Sequence, residues 1–174
     1  MAYWTYTSVS YLRLNEYEKA EIQLKKATND FEKSMALTDA AQSYFKSKKY
    51  GEARKYAEQL LALSNANKND DNIYGPGVYD SHIILGRLEL LNGNSEKAIH
   101  HLLEAGKTPG HPTLASFGPD MSLAKELLEK GYKKPVIEFL TGCKRFWTYD
   151  EGKLENWIKE INEGKMPDFG MNLI

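Results

Sequence analysis

The chain is short of nearly everything that would mark it as disulfide-built, membrane-spanning or drawn to polyanions. It holds one cysteine, Cys143, among 174 residues, so no internal disulfide can form, and a reducing compartment suits it. No apolar run approaches the roughly 18–20 residues that a spanning helix needs, and the opening MAYWTYTSVS has neither a basic region nor an apolar stretch of signal-peptide type. A cytoplasmic location is expected. An excess of one charge is missing too. The 23 Lys plus Arg against 24 Asp plus Glu leave a formal charge of −1, so no overall field pulls the chain toward nucleic acid or an anionic membrane. Strand-type alternation is absent, because nearly every apolar residue falls on a helical period. The reading is all-α, and 41% apolar residues suffice for the core of a single domain over 1–174.

What is present is a repeat. Trp4, Thr7, Ser8 and Tyr11 lie on one helical face, followed by Tyr17, Ala20, Leu24 and Ala27 on the next. Thirty-three residues on, Leu37, Ala40, Ala41 and Tyr44 precede Tyr50, Ala53, Ala57 and Leu60 in the same order. Asn15, with Glu18 three residues later, reads as a capping box for the second helix of the first copy. The charges on that helix, Glu16, Glu18, Glu21, Lys25 and Lys26, read as a solvated face. Tyr50 is expected as a wedge between paired helices, and Ala20 and Ala53 mark their closest approach. A third copy shows Leu85-Gly86, a Gly93-Asn94 turn, then Ala98, Leu102 and Ala105. A looser fourth has Leu123-Ala124, Leu127, a Gly131-Tyr132 turn, Val136, Leu140 and Cys143. The repeats are placed at about 2–32, 35–64, 79–106 and 119–145. A last amphipathic helix, about 150–163, carries Leu154, Trp157, Ile158 and Ile161, with Thr148 and Glu151 as its capping box, and should cover Phe146 and Trp147.

Two stretches break the period. Ala53 to Ala98 is 45 residues, about a dozen too many, and the excess lies in a polar run followed by Ile73-Tyr74-Gly75-Pro76-Gly77-Val78, which reads as loop. Residues 106–119 hold three prolines and three glycines, excluding one regular helix through them, with Pro119 suited to the first turn of the next. Each is either a tolerated surface insertion or a segment folded over a binding surface.

Catalytic chemistry finds no constellation. His100 and His101 are adjacent and diverge by about 100° on a helix, while His82 and His111 have no partner at ligand spacing, so no metal or other cofactor is expected. Cys143 reads as a small buried apolar residue. Gly75-Pro76-Gly77 lacks the following Gly-Lys-Ser or Gly-Lys-Thr of a phosphate loop. Lys46, Lys48, Lys49, Arg54 and Lys55 form a basic cluster that reads as a solvated turn and helix face.

The period, with its aromatic or Leu, small pair, Tyr, second Tyr and Ala, resembles the tetratricopeptide repeat. The C-terminal half, from Leu85-Gly86-Arg87 through Phe117-Gly118-Pro119-Asp120-Met121 to Phe146-Trp147 and Pro167-Asp168-Phe169-Gly170, also resembles an uncharacterised bacterial group of such repeat proteins, which implies no activity. The first resemblance implies a right-handed solenoid of antiparallel helix pairs with a C-terminal capping helix. It also implies a non-catalytic scaffold that binds a peptide or partner protein in its concave groove, with neither nucleic acid nor membrane as partner. Carried over position by position, the groove residues are Thr38, Gln42 and Phe45, then Ile83, Arg87 and Leu90, then Met121 and Lys125, with Tyr74 added from the first inserted stretch. The family's carboxylate-clamping form needs Lys, Arg and Asn where this chain has Thr5, Val9, Thr38 and Gln42, so that form is not expected. Arg87 is the cation on which an acidic ligand would depend. The alternative is a regulatory or small-molecule-binding protein whose pocket is closed by stretches 65–78 and 106–119 and lined by Tyr74, Phe117, Met121 and Arg87.

Overall fold

The computed structural model describes residues 15–173. Trp4, Thr5, Thr7, Ser8, Val9, Tyr11 and Leu14 lie outside the described residues. The structure is 70% helix, without strands among the described residues. Its helices are α1 (Glu16–Lys26), α2 (Asp30–Lys46), α3 (Tyr50–Ala66), α4 (Tyr74–Leu91), α5 (Ser95–Ala105), α6 (Pro112–Phe117), α7 (Ser122–Glu129), α8 (Lys133–Cys143) and α9 (Lys153–Asn162).

Local chemistry sets several of these boundaries. The Asn15 amide donates to the Glu18 carboxylate at 2.8 Å, as a capping box requires, and Asn29 Oδ1 accepts from the Glu32 amide at 2.9 Å to open α2. Gly93 and Gly131, at φ of 80° and 87°, take the left-handed turns that let α5 and α8 fold back on their predecessors. Each helix of the series α1 to α5 packs on its neighbour in the chain, and α2, α4 and α7 also touch one another in order. The small pair Ala40-Ala41 and Ala20, Ala53 and Ala98 are all buried, leaving room at the crossings for little beyond a methyl group.

Helix α4 joins two cores. Its Ile84, Leu85 and Leu88 pack with α1 to α3, whereas Tyr79, Ile83 and Leu90 pack with the C-terminal half. Gly86 fits this position because a Cβ there would lie 2.3 Å from Leu123 Cδ2 and 3.0 Å from His101 Cβ. At the far end, α9 covers the core as expected: Trp157 lies against Trp147 at 5.6 Å and Phe169 at 4.9 Å between ring centroids, and Cys143 is fully buried.

Several expectations are corrected. Residues 74–78 are the first turn of α4, so that helix begins at Tyr74 rather than Tyr79. Pro76 is harmless there because the first turn has no intrahelical acceptor for its N–H, and Gly75 and Gly77 serve packing, not turning. A Cβ on Gly75 would sit 2.0 Å from the Gly110 carbonyl oxygen, and one on Gly77 2.0 Å from Ser64 Oγ. The second break contains α6, and Pro119 precedes α7 rather than starting it, since Met121 holds the cap position. Thr148 and Glu151 form no capping box. Gly152 caps α9 in the left-handed region, and the Asp150 carboxylate accepts from the Leu154 amide at 3.1 Å. Tyr50 is 39% exposed and leans on Phe45 instead of wedging between helices. Glu21 is half-buried rather than purely solvated, and its carboxylate accepts from Tyr44 Oη at 2.6 Å and Tyr56 Oη at 2.7 Å.

Candidate functional site

A groove of about 520 Å³ opens between α2, the N-terminal half of α4 and α6. Its rims are apolar and exposed: Phe31 and Met35 on α2 at 46% and 55%, and Phe117 at the end of α6 at 78%. Pro76, Gly77 and Leu114 continue the lining, with Thr38 and Gln42 between Met35 and the floor. Three carboxylates share this space: Asp39 from α2, Asp80 from α4 and Asp120 from the loop before α7. Among the described residues no lysine or arginine joins them in this lining.

The fold fixes this arrangement through the two inserted stretches. Thr108 Oγ1 donates to the Gly75 carbonyl at 2.8 Å, and the Gly75 backbone lies directly against Gly110, so the stretches interlock below the groove. Tyr79 Oη donates to the Asp120 carbonyl oxygen at 2.7 Å, tying the floor of α4 to the loop before α7. Asp120 in turn accepts from the Ser122 amide at 2.8 Å. Burial and the neighbouring charges of Asp120 and Asp39 push the Asp80 carboxyl up to about 7. Burial likewise raises Asp39, helped by Glu16.

The residues named from sequence divide sharply. Thr38 and Gln42 line the groove; Gln42 also borders a narrow side recess shared with Phe45, Lys46 and Arg87. Phe45 lies under the Arg87 guanidinium at 4.4 Å, and Arg87 pairs with Glu126 through Nε at 2.9 Å and Nη2 at 2.8 Å. The cation reserved for an acidic ligand is therefore neutralised within the protein. Ile83, Leu90 and Met121 are corrected: at 2%, 5% and 0% exposure they belong to the core, and none of them lines the groove, Ile83 bordering only the narrow side recess. Their failure is one of phase, since α4 is enclosed almost all round and the repeat position alone does not tell the open side. Tyr74 and Lys125 are half-buried and line no part of the groove.

The position-by-position transfer passed over Phe31, Met35, Asp39 and Asp80. A signal existed for the first two: Phe31, Met35, Thr38 and Gln42 form a helical stripe separate from the core stripe of Leu37, Ala40, Ala41 and Tyr44. Asp80 was marked by being the first carboxylate in the largely apolar stretch 73–91. Phe117 had been assigned to the alternative pocket, and it does line the groove.

The histidines offer no second centre. His82 and His101, without a partner in sequence, meet in space with Nδ1 atoms 2.8 Å apart. Among the described residues no group of three or more His, Cys, Asp or Glu is placed to hold a metal ion, and no helix is long and apolar enough to cross a membrane. Burial pushes the Cys143 thiol far above its ordinary range, which leaves it a poor nucleophile. The basic cluster is dispersed in contacts: Arg54 with Glu89 at 2.8 Å, Lys49 over the Tyr17 ring and Lys55 over the Tyr56 ring. In comparisons with known proteins, no family model, curated protein or solved structure matches the chain.

Proposed function

We propose that the chain is a non-catalytic, cytoplasmic interaction scaffold, a right-handed solenoid of tetratricopeptide kind that receives a segment of a partner protein in its concave groove. The observation carrying this reading is the groove itself, with Phe31, Met35 and Phe117 exposed on facing walls where a monomer gains nothing by exposing them. Large apolar side chains around a cleft set by rigid helices are the usual anchors for a peptide or helix laid into it. The contact positions under this reading are Phe31, Met35, Thr38, Gln42, Asp80 and Phe117, replacing the earlier set.

The test is selection of random 12-residue peptides displayed on phage, against wild type and against a Phe31→Ser, Phe117→Ser double variant of matched melting temperature. Enriched peptides should lose at least tenfold in affinity on the variant. Peptides indifferent to both phenylalanines would overturn the reading.

A small-molecule or regulatory role is favoured by one observation: both inserted stretches wall the same groove and rest on each other at Gly75 and Gly110. Under this second reading a panel of metabolites, screened by thermal shift, should contain one that raises the melting temperature of wild type and not of the double variant.

A further inference from the structure

We infer that the segment occupying the groove is amphipathic and basic: it sets apolar side chains on Phe31 and Phe117 and brings a lysine or arginine to Asp80. This deepens the scaffold reading and rests on it. The argument is charge complementarity. Asp39, Asp80 and Asp120 reach the groove from three separate elements of the chain, yet among the described residues its lining has no lysine or arginine. Among the described residues, His111 and Tyr79 are the other titratable side chains at the wall, and His111 Nδ1 accepts from the Thr113 amide at 3.3 Å. Asp80 and Asp120 also line the side recess, where Arg87 is already paired with Glu126 and Lys46 is exposed, and Asp39 borders two outer recesses that hold Lys19 and Lys26.

Asp80 stands out among the three. It sits in the first half of α4, between buried Tyr79 and Ser81, and among the described residues no donor bonds its carboxylate. Tyr79 spends its hydroxyl on the Asp120 carbonyl, and the Ser81 hydroxyl donates to the Gly77 carbonyl at 2.6 Å. Asp80 is half-buried, and a segment laid over the groove would enclose it further; a carboxylate so enclosed without a donor is costly to keep ionised, and an arriving cation removes that cost. Acidic and neutral segments gain nothing from it: an anion would be repelled by Asp39 and by ionised Asp80, and a purely apolar one would cover Asp80 without a donor. The partner's cation would also discharge the proton that the crowding holds on Asp80 near neutral pH.

The display selection tests this with Asp80→Asn as the second variant. Asparagine keeps the shape, and its melting temperature should equal or exceed that of wild type. Enriched peptides should carry Lys or Arg beside apolar residues and lose at least tenfold in affinity on Asp80→Asn. Calorimetric titration at pH 7 in two buffers of different ionisation enthalpy should show proton release on wild type and none on the variant. Peptides that depend on Phe117 but are neutral or acidic, or cationic peptides indifferent to Asp80, would overturn the charge assignment and leave the groove standing. Peptides that ignore Phe117 as well would overturn both.

Discussion

Asn172 reaches back across the structure to Phe117, its side-chain Nδ2 donating to the Phe117 carbonyl oxygen at 3.0 Å and to that of Pro119 at 3.2 Å. Its own carbonyl oxygen accepts from the Met121 amide at 2.6 Å. The C-terminal tail therefore holds the short helix that forms one wall of the groove, and Gly118 lets the chain turn there at φ 82° flush against the Trp147 ring.

Replacing Asn172 with Ala removes the side-chain bonds to Phe117, the last residue of α6, and to Pro119 just beyond it. The loss should be about 1–2 kcal/mol, felt locally rather than globally. Amide hydrogen exchange over residues 112–118 should accelerate, affinity for a groove peptide should fall several-fold, and the melting temperature should move little. Unchanged exchange in α6 would show that Trp147 and Gly118 hold the wall without the tail.

A second prediction concerns Glu21, which sits under the hydroxyls of Tyr44 and Tyr56 while Tyr17, Tyr44 and Tyr56 stack at 4.6 and 5.4 Å. Hydrogen bonds from Tyr44 first, then Tyr56, lower the Glu21 carboxyl from its ordinary value. Tyr44→Phe and Tyr56→Phe should each cost about 1–2 kcal/mol, as hydrogen bonds to a charged acceptor do. The double variant should cost less than the sum, because either hydroxyl alone satisfies part of the carboxylate. Urea unfolding of the four-member cycle measures this, and strict additivity would rule out a shared acceptor.

Gly75 should be among the least replaceable residues outside the core. Alanine is the better helix former by about 1 kcal/mol, but its methyl would meet the Gly110 carbonyl at 2.0 Å, and that is backbone that cannot rotate away. We expect Gly75→Ala to destabilise by about 2–3 kcal/mol, whereas Gly51→Ala, where a Cβ meets nothing within 4 Å, should be neutral or stabilising. Equal effects at the two sites would contradict the interlocked arrangement of the inserted stretches.

These cases show what the sequence made legible. The pairing of α1 to α5 could be read because alanines at 20, 53 and 98 repeat a steric requirement that recurs at each crossing, and burial bears it out. The start of α4 could not, since Gly-Pro-Gly signals a turn and only the neighbours Gly110 and Ser64 reveal that the glycines are there for close approach. The groove fell between these cases. Thr38 and Gln42 followed from repeat position, yet Phe31 and Asp80 depend on which side of each helix stays open, and that is set by α6 and the tail. The His82–His101 contact was illegible for the same reason, being a meeting of two helices rather than a spacing within one.

The last prediction sets that histidine pair against Asp80. Two Nδ1 atoms at 2.8 Å need one to donate and the other to accept, so protonating both would force two N–H groups together. Burial first, then the charge of His101, lowers His82 to about 4 from an ordinary 6.5, with His100 adding to the repulsion and Glu104 opposing it. Burial also lowers His101. The unfolded chain thus binds the extra proton between pH 4 and 6.5, and the stability that neutral His82 contributes is fully present above that window and lost as pH falls through it. Asp80 acts in the opposite sense: its carboxyl titrates near 7 when folded against 3.8 when free, so the folded chain holds the extra proton and stability falls as pH rises across that interval. Each single proton is worth at most about 1.4 kcal/mol per pH unit, and the two slopes largely cancel. Wild type should therefore be nearly flat in urea unfolding between pH 4.5 and 6.5, Asp80→Asn should gain stability with rising pH, and His82→Asn should lose it. A wild-type curve as steep as that of Asp80→Asn would mean that Asp80 carries no excess proton in the folded protein.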